Sequence, residues 1–446
     1  MTPLFVGYAS IVVMFIIVLL GAPIGLAMIA VGFAGFAMIV GMAPAFSVLQ
    51  TATFETITSY SFTLIPLFLL MGNLISRSGV AADLFRGALL LTKGWSGGLA
   101  AAGMTASAVF STVSGSSLAT ASTMTRVAYP EMQAHGYDPR LATGSLAAGG
   151  TLGILIPPSI ALMLYALITE QSVGTMFLAG ILPGVLAFVL YIVTILVMAR
   201  IWPPITADTP QPETADTSSD TQADAPAEQT GALTILRLFA PSFLLFGLVM
   251  GGLYGNFFTP TEAGGIGAAL ALVFALWRRV PRSELKAAFI ETTITTGSIF
   301  LILIGAEVFG FVLSTSQLSN ELVNFLNGNG FGRWQVMFAI LIFYVVLGCF
   351  MESLAMILLT IPIFFPIIIA NGFDPIWFGI IAVVTVELGL ITPPVGMNLF
   401  MVKSASRGTP LSTIMTGVIP FVVTDIIRLG ILLAFPAISL LLTGRL

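Results

Sequence analysis

Two proline pairs stand inside apolar runs that are each long enough to cross a lipid bilayer. Pro157-Pro158 lies within 141–169, and Pro393-Pro394 lies within 376–402. Proline has no backbone N–H and its ring clashes with the preceding helical turn, so each run is predicted to be a broken helix. Broken backbone at membrane depth is tolerated only where protein or a polar cavity covers it. The two breaks therefore predict a transporter's binding site near the bilayer midplane.

The composition indicates a membrane protein. Of 446 residues, 57% are hydrophobic and 8% are charged, whereas soluble domains carry about 25% charged residues. Many windows exceed the roughly 18 apolar residues that indicate a spanning helix. The sequence has no ATPase phosphate-binding stretch, no cluster of metal-binding residues and no basic patch for nucleic acid. We predict an all-α polytopic membrane protein that is not an enzyme and uses no cofactor.

The chain repeats itself at an offset of 236 residues. Gly136-Tyr137-Asp138-Pro139 matches Gly372-Phe373-Asp374-Pro375, and the same offset superposes the two proline pairs. A gapless offset that joins separate motifs indicates an internal repeat. The first predicted repeat covers 1–202 and contains a re-entrant hairpin at 96–131 and the broken helix 141–169. A linker over 203–232 follows. The second predicted repeat covers 233–446 and contains a hairpin at 334–370 and the broken helix 376–402.

Charge predicts how the two halves are oriented. Lys and Arg mark cytoplasmic loops, and Arg278 and Arg279 follow a predicted span at 261–278. This places the linker, which carries six acidic residues and no basic one, in the cytoplasm and both termini outside. Its composition predicts disorder. Five full spans in each half, an odd number, predict opposite orientations and hence an inverted repeat.

Two further expectations are a span at 294–315 and an interfacial helix at 317–328.

Hydroxyl groups and free carbonyls gather at the predicted hairpin tips and helix breaks. Neutral oxygen ligands suit a hard monovalent cation such as Na⁺, and carbonyls at half-helix C-termini attract it. Half-helix N-termini, with bare N–H groups, favour an anion such as a carboxylate. The predicted residues for Na⁺ and substrate are Ser114, Gly115, Ser116, Ser117, Thr151, Gly153, Pro157, Pro158, Ser353, Thr385, Thr392, Pro393, Pro394 and Asn398.

Each of these residues also has a structural interpretation, because small residues in membrane helices commonly serve close packing. The carboxyl groups leave a second choice. Glu352 and Glu387 could relay protons in place of Na⁺, pair with a base or cap a half-helix. Asp425 and Arg428, three residues apart on a helix, are predicted to form a local ion pair.

The sequence resembles the large membrane (M) subunit of tripartite ATP-independent periplasmic (TRAP) transporters. The resemblance lies in Phe110–Met124 with its Ser-Gly-Ser-Ser core, in Gly149–Ser159, in Gly348–Pro366 and in Glu387–Phe400. It implies an elevator-type ion transporter fold, in which hairpins and broken helices carry substrate past fixed outer helices. It also implies one Na⁺ site around the first tip and break, a second around the second pair, and substrate between them.

The same resemblance implies Na⁺-coupled import of a small organic acid across the bacterial inner membrane. The implied partners are a periplasmic substrate-binding (P) subunit and a small four-helix membrane (Q) subunit, which we expect on a separate chain. Two alternatives stay open. One is a stand-alone Na⁺- or H⁺-coupled organic anion symporter of the same superfamily, and the other is a channel or the permease subunit of an ATP-driven importer.

Overall fold

A computed structural model describes residues 2–203, 232–318, 321, 330 and 332–444. The predicted linker, except for residues 203 and 232, and most of the interfacial helix expected at 317–328 lie outside the described residues. The described part is helical and contains no strand.

The helices of the first half are α1 Pro3–Leu19, α2 Ile24–Val40, α3 Met42–Thr58, α4 Leu64–Ser76, α5 Val80–Leu91, α6 Gly98–Ser114, α7 Ser117–Ala134, α8 Pro139–Leu155, α9 Ile160–Ile168 and α10 Val173–Ile201. Those described in the second half are α11 Ala232–Tyr254, α12 Pro260–Trp277, α13 Arg282–Thr315, α14 Arg333–Gly348, α15 Ser353–Ala370, α16 Pro375–Ile391, α17 Met397–Ala405, α18 Leu411–Ala434 and α19 Ala437–Leu440.

Several of these helices match a bilayer in length and polarity. Among the described residues, seven helices are long and apolar enough to cross a membrane. The segments Met42–Thr58 and Tyr60–Ser76 meet at a bend of 54°. If this bent pair is counted as one span, the number rises to eight. The shorter apolar helices α1 and α2 have 17 residues each, which is at the lower limit for a span. The prediction of an all-α polytopic membrane protein is confirmed.

Matching helices recur at the predicted offset of 236 residues. Ser117–Ala134 corresponds end for end to Ser353–Ala370, and Pro139–Leu155 corresponds end for end to Pro375–Ile391. Both proline pairs lie between the two helices of a break, and the peptide bond within each pair is cis. The opposite membrane orientation of the halves stays a prediction.

The aspartates of the repeated motif explain why α8 and α16 begin where they do. Asp138 accepts a hydrogen bond from the backbone N–H of Arg140 at 2.8 Å, and Asp374 accepts one from that of Trp377 at 2.9 Å. Each aspartate thus caps its helix, and a proline follows at the first helical position, where no N–H is needed. The Arg140 guanidinium also bonds the Asp138 carboxylate and holds the pKa of Asp138 below its ordinary value.

The span predicted over 294–315 lies within a longer helix. Helix α13 runs from Arg282 to Thr315 and has 34 residues. Its polar first turns lie outside the predicted span, and Glu284 in the first turn suits the positive end of the helix dipole. At 1.5 Å per residue α13 is about 51 Å long. It therefore extends beyond the roughly 30 Å hydrocarbon core.

The broken helices occupy the centre of the molecule. Every side chain of α8 from Leu141 to Leu155 is buried, and so is every side chain of α16 from Ile376 to Ile391. By contrast, α10 exposes an apolar stripe at four-residue spacing, of which Val185 and Val189 are examples. A helix that is buried all round belongs to the interior, whereas an outward apolar stripe suits lipid. The first break is therefore enclosed by protein, whereas Pro394 in the second break is exposed.

Candidate functional site

The tip of the first hairpin is held by its own hydroxyl groups. Helix α6 ends at Ser114, and Gly115 follows with a left-handed φ of +62°, which only glycine adopts without strain. Ser116 caps α7 by accepting a hydrogen bond from the backbone N–H of Ala119 at 3.4 Å. The hydroxyls of Ser114 and Thr120 lie 2.8 Å apart and share a hydrogen bond. Four predicted site residues thus lie in one turn.

This tip packs against the first helix break. A Cβ added at Gly153 would lie 2.9 Å from the backbone oxygen of Ser116, and one added at Gly115 would lie 3.1 Å from the backbone oxygen of Pro158. The distance at Gly153 leaves no room for a Cβ, whereas at Gly115 the contact is tight and the positive φ already favours glycine. The structure therefore brings the first tip and the first break together, as the sequence predicted.

Two residues of the second half form hydrogen bonds with the first hairpin and the first broken helix. The hydroxyl of Ser117 donates a hydrogen bond to Oε2 of Glu387 at 2.7 Å. The side-chain amide of Asn398 donates one to the backbone oxygen of Ala147 at 3.3 Å. A Cβ added at Gly150 would lie 3.1 Å from Nδ2 of Asn398 and 3.1 Å from the Ser117 backbone oxygen. Helices α7, α8, α16 and α17 thus meet at one point.

Two oxygen atoms at this point have no hydrogen-bond donor in the described part of the chain. They are Oε1 of Glu387 and Oδ1 of Asn398, and both residues are fully buried. Buried acceptors without a donor are rare and costly, and they require an explanation. Oxygens of this kind suit a hard cation such as Na⁺.

A second polar network adjoins the first break, and the sequence had predicted only part of it. Thr151 shares a hydrogen bond with the hydroxyl of Tyr191 at 2.9 Å, and that hydroxyl also donates to Oδ2 of Asp425 at 2.7 Å. Asp425 pairs with Arg428 at 3.0 Å, as predicted. Tyr191 was missed, and its only signal was a polar group within the apolar helix α10.

The second hairpin and break also pack together, but through backbone and sulfur atoms. The backbone N–H of Gly396 donates a hydrogen bond to the backbone oxygen of Cys349 at 3.1 Å. The thiol of Cys349 donates one to the backbone oxygen of Thr392 at 3.7 Å. This contact holds the turn that contains Pro393 and Pro394 against the second tip. The second tip and the second break are therefore in contact, and a second ion site at this place stays a prediction.

The remaining predicted side chains of the second half have local partners. The hydroxyls of Thr385 and Thr392 donate to carbonyls of their own helix, at 2.7 Å and 2.5 Å. Glu352 caps α15 by accepting from the backbone N–H of Ala355 at 3.3 Å, which is the capping role left open from the sequence. Ser353 is buried in the first turn of that helix. Of the second-half residues, Glu387 and Asn398 are the two bonded to the first-half cluster.

The chain is similar to known proteins over most of its length. A family model described as "Tripartite ATP-independent periplasmic transporter, DctM component" matches residues 11–438. The C4-dicarboxylate TRAP transporter large permease protein DctM of Pseudomonas aeruginosa is 36% identical over 391 residues, covering 87% of each chain. The sialic acid TRAP transporter large permease protein SiaM of Vibrio cholerae is 30% identical over 390 residues, covering 86% of this chain and 87% of that one.

Two further comparisons concern a fused relative and a solved structure. The isethionate TRAP transporter permease protein DctMQ of Oleidesulfovibrio alaskensis is 29% identical over 446 residues, and the match covers 99% of this chain but 66% of that one. The crystal structure of the Alcanivorax borkumensis YdaH transporter superposes with a TM-score of 0.59 at 17% identity, covering 90% of both chains. That likeness shows the fold alone.

Proposed function

The chain belongs to the family of large membrane subunits of TRAP transporters, and we propose from this premise that it imports a small organic anion driven by a Na⁺ gradient. Relatives are named for C4-dicarboxylates, sialic acid and isethionate. These compounds share a negatively charged acid group, so the proposed cargo is an organic acid. Na⁺ is carried with it as the coupling ion.

The observation that supports a coupling cation is the pair of buried oxygens without donors. Oε1 of Glu387 and Oδ1 of Asn398 lie where the first hairpin, the first broken helix and the second broken helix meet. A Na⁺ ion would compensate both oxygens. The end of α8 at Leu155 also leaves carbonyls without intrahelical partners, and the dipole of that helix end favours a cation.

The organic anion is proposed to bind beside the cation, at the starts of α7 and α15. Ser117 and Ser353 begin these helices, and a helix N-terminus offers bare N–H groups to an anion. The hairpins and broken helices are proposed to move together as an elevator past the outer helices. An anion and a cation bound side by side would partly neutralise each other before crossing the membrane.

The proposed partners are a periplasmic substrate-binding subunit and a small membrane subunit on a separate chain. The proposed location is the bacterial inner membrane, with both termini in the periplasm and 203–232 in the cytoplasm. Single-cysteine labelling from either side of intact cells tests that orientation. Labelling of the C-terminal end from the cytoplasmic side would contradict it.

Uptake into proteoliposomes tests the proposed transport. The vesicles contain this chain and its small partner, and a panel of organic acids is supplied with a matched binding protein. Uptake should require both an inward Na⁺ gradient and the binding protein. Uptake with Na⁺ but without the binding protein would favour the stand-alone symporter, and uptake on ATP without Na⁺ would reject the proposal.

Ion binding can be tested apart from transport. Na⁺ should raise the melting temperature of the purified protein, because a ligand that binds only the folded state stabilises it. Asn398→Ala should remove this shift, whereas Ser404→Ala, which changes an exposed residue of the same helix α17, should retain it. K⁺ at the same ionic strength serves as the control salt. An equal shift in both variants would contradict Asn398 as a ligand.

Proton coupling is a second candidate, and Glu387 is the observation that favours it. This carboxyl group is fully buried at the centre of the site, and buried membrane carboxylates commonly serve in proton relays. If protons replace Na⁺, a pH gradient alone drives uptake and Glu387→Gln abolishes it.

A further inference from the structure

A polar cavity and an apolar groove meet at the end of α12, away from the proposed transport site. The cavity has a volume of about 470 Å³, and its lining includes Asp83, Arg237 and Arg278. The groove, of about 190 Å³, is lined by apolar residues of α4, α11 and α12. Pro241 and Trp277 line both spaces, so a charged compartment continues directly into an apolar one.

The charges in the cavity leave one guanidinium unneutralised. Asp83 pairs with Arg278, whereas Arg237 has no ion-pair partner within the described ranges. Two arginines and one aspartate give the lining a single net positive charge. Arginine is the side chain that best matches the geometry of a phosphate group, through paired N–H donors. The cavity therefore fits a group with one negative charge, such as a phosphodiester.

The groove beside the cavity faces outward. Trp277 is 74% exposed, Leu244 is 67% exposed and Val273 is 63% exposed, which is the orientation expected of side chains that contact lipid. Tryptophan is enriched where a spanning helix meets the membrane surface. The ring of Phe274 lies 5.8 Å from that of Trp277 and 5.3 Å from the guanidinium of Arg278. Aromatic rings thus connect the charged end of the site to its apolar end.

We propose that the cavity and the groove together bind one phospholipid with a singly charged anionic headgroup. Its phosphodiester lies between Arg237 and Arg278, and one acyl chain follows the groove along α11 and α12. This end of α12 is predicted to face the cytoplasm, where basic residues attract anionic lipid. The bound lipid joins α5 of the first half to α11 and α12 of the second.

The acidic linker over 203–232 is the competing occupant, and its composition argues against it. Its carboxylates could approach Arg237, but it contains no aromatic residue and Ile205 is its only large aliphatic one. It therefore offers almost nothing to fill a groove lined by residues such as Leu244 and Val273. A lipid satisfies both compartments with one molecule.

Native mass spectrometry of the purified full-length chain tests the proposal. The protein is released from micelles containing phosphatidylglycerol or phosphatidylcholine, and retained lipid is counted. Wild type should retain one phosphatidylglycerol in preference to phosphatidylcholine. Arg237→Gln should lower the retained fraction about five-fold or more, while Arg279→Gln, a neighbouring arginine outside the cavity lining, should not. Leu244→Trp, which fills the groove, should lower it while leaving the charges unchanged.

Several results would contradict the proposed lipid site. Equal retention of the two lipids by wild type, or equal loss in Arg237→Gln and Arg279→Gln, would overturn the proposal. Displacement of the lipid by inorganic phosphate would show a site for a free anion instead. Lipid binding that appears only after the six linker acids are neutralised would show that the linker occupies the cavity. Should Arg237→Gln aggregate, Arg237→Lys keeps the charge and is expected to retain the lipid.

Discussion

Ser117→Ala removes the hydrogen bond that joins the first hairpin to Glu387. Ser117 is 1% exposed and Glu387 is fully buried, so bulk water cannot replace the lost donor. A hydrogen bond to a charged group contributes about 1.5–3 kcal/mol to stability, whereas interhelical hydrogen bonds in a membrane protein average about 0.6 kcal/mol. The decrease in the free energy of unfolding caused by Ser117→Ala therefore indicates whether Glu387 is ionised in the folded protein.

Denaturant unfolding in detergent micelles measures this loss, with the free energy of unfolding taken by linear extrapolation. The matched control is Ser122→Ala, which removes the same atom from another buried position on α7. If Glu387 is ionised, Ser117→Ala should cost about 1.5–3 kcal/mol more than this control. In a Glu387→Gln background, the same substitution should cost only about 0.6 kcal/mol more.

Two other results would change the interpretation. A loss no larger than that of Ser122→Ala in both backgrounds would refute the hydrogen bond between Ser117 and Glu387. An extra loss of about 0.6 kcal/mol in both backgrounds would keep the bond but make Glu387 neutral. That result would favour the proton-carrying role over a Na⁺ ligand.

Four further substitutions test the surroundings of the site. Gly153→Ala should abolish uptake, because the new Cβ would lie 2.9 Å from a backbone oxygen of the hairpin tip, whereas Gly247→Ala, which meets nothing within 4 Å, should transport normally. Pro157→Ala and Pro393→Ala should each lower uptake more than membrane abundance, because each proline keeps a helix broken. Tyr191→Phe should lower the free energy of unfolding by about 1–3 kcal/mol, because its buried hydroxyl bonds two polar side chains.

Each of these expectations has a result that contradicts it. Normal uptake by Gly153→Ala would mean that the tip and the break need not approach closely. Full transport by both proline variants would remove the proposed role of the helix breaks. Tyr191→Phe with unchanged stability would show that Thr151 and Asp425 find other partners when the hydroxyl is removed.

The predicted starts of the two broken helices, at 141 and 376, lie within two residues of the observed starts of α8 and α16 at Pro139 and Pro375. Asp138 with Pro139 and Asp374 with Pro375 mark the starts of α8 and α16, and both signals are local. The span predicted over 294–315 covers only the apolar part of α13, because the first turns of that helix are polar and hydropathy does not indicate them. Local patterns thus predict an element when its signal is contained within the element.

Contacts between distant residues could not be predicted in this way. Ser117 and Glu387 are 270 positions apart, and nothing in either segment specifies the other as its partner. The repeat placed both tips and both breaks in one kind of environment, but it did not indicate which side chains would meet. Tyr191 was missed for the same reason, because its role depends on Thr151 and Asp425, which lie on other helices.

The position of the oxygens without donors bears on how an ion could control the protein. Leaving a buried polar group unsatisfied costs about 1–3 kcal/mol, so Oε1 of Glu387 and Oδ1 of Asn398 oppose the packing that brings them together. The proposed Na⁺ ion, bound to both oxygens, would offset this cost. Ser117 and Ala147 of the first half bond to these two residues of the second. Under the proposed Na⁺ coupling, ion binding at this point would favour the first hairpin and the two broken helices moving as one body.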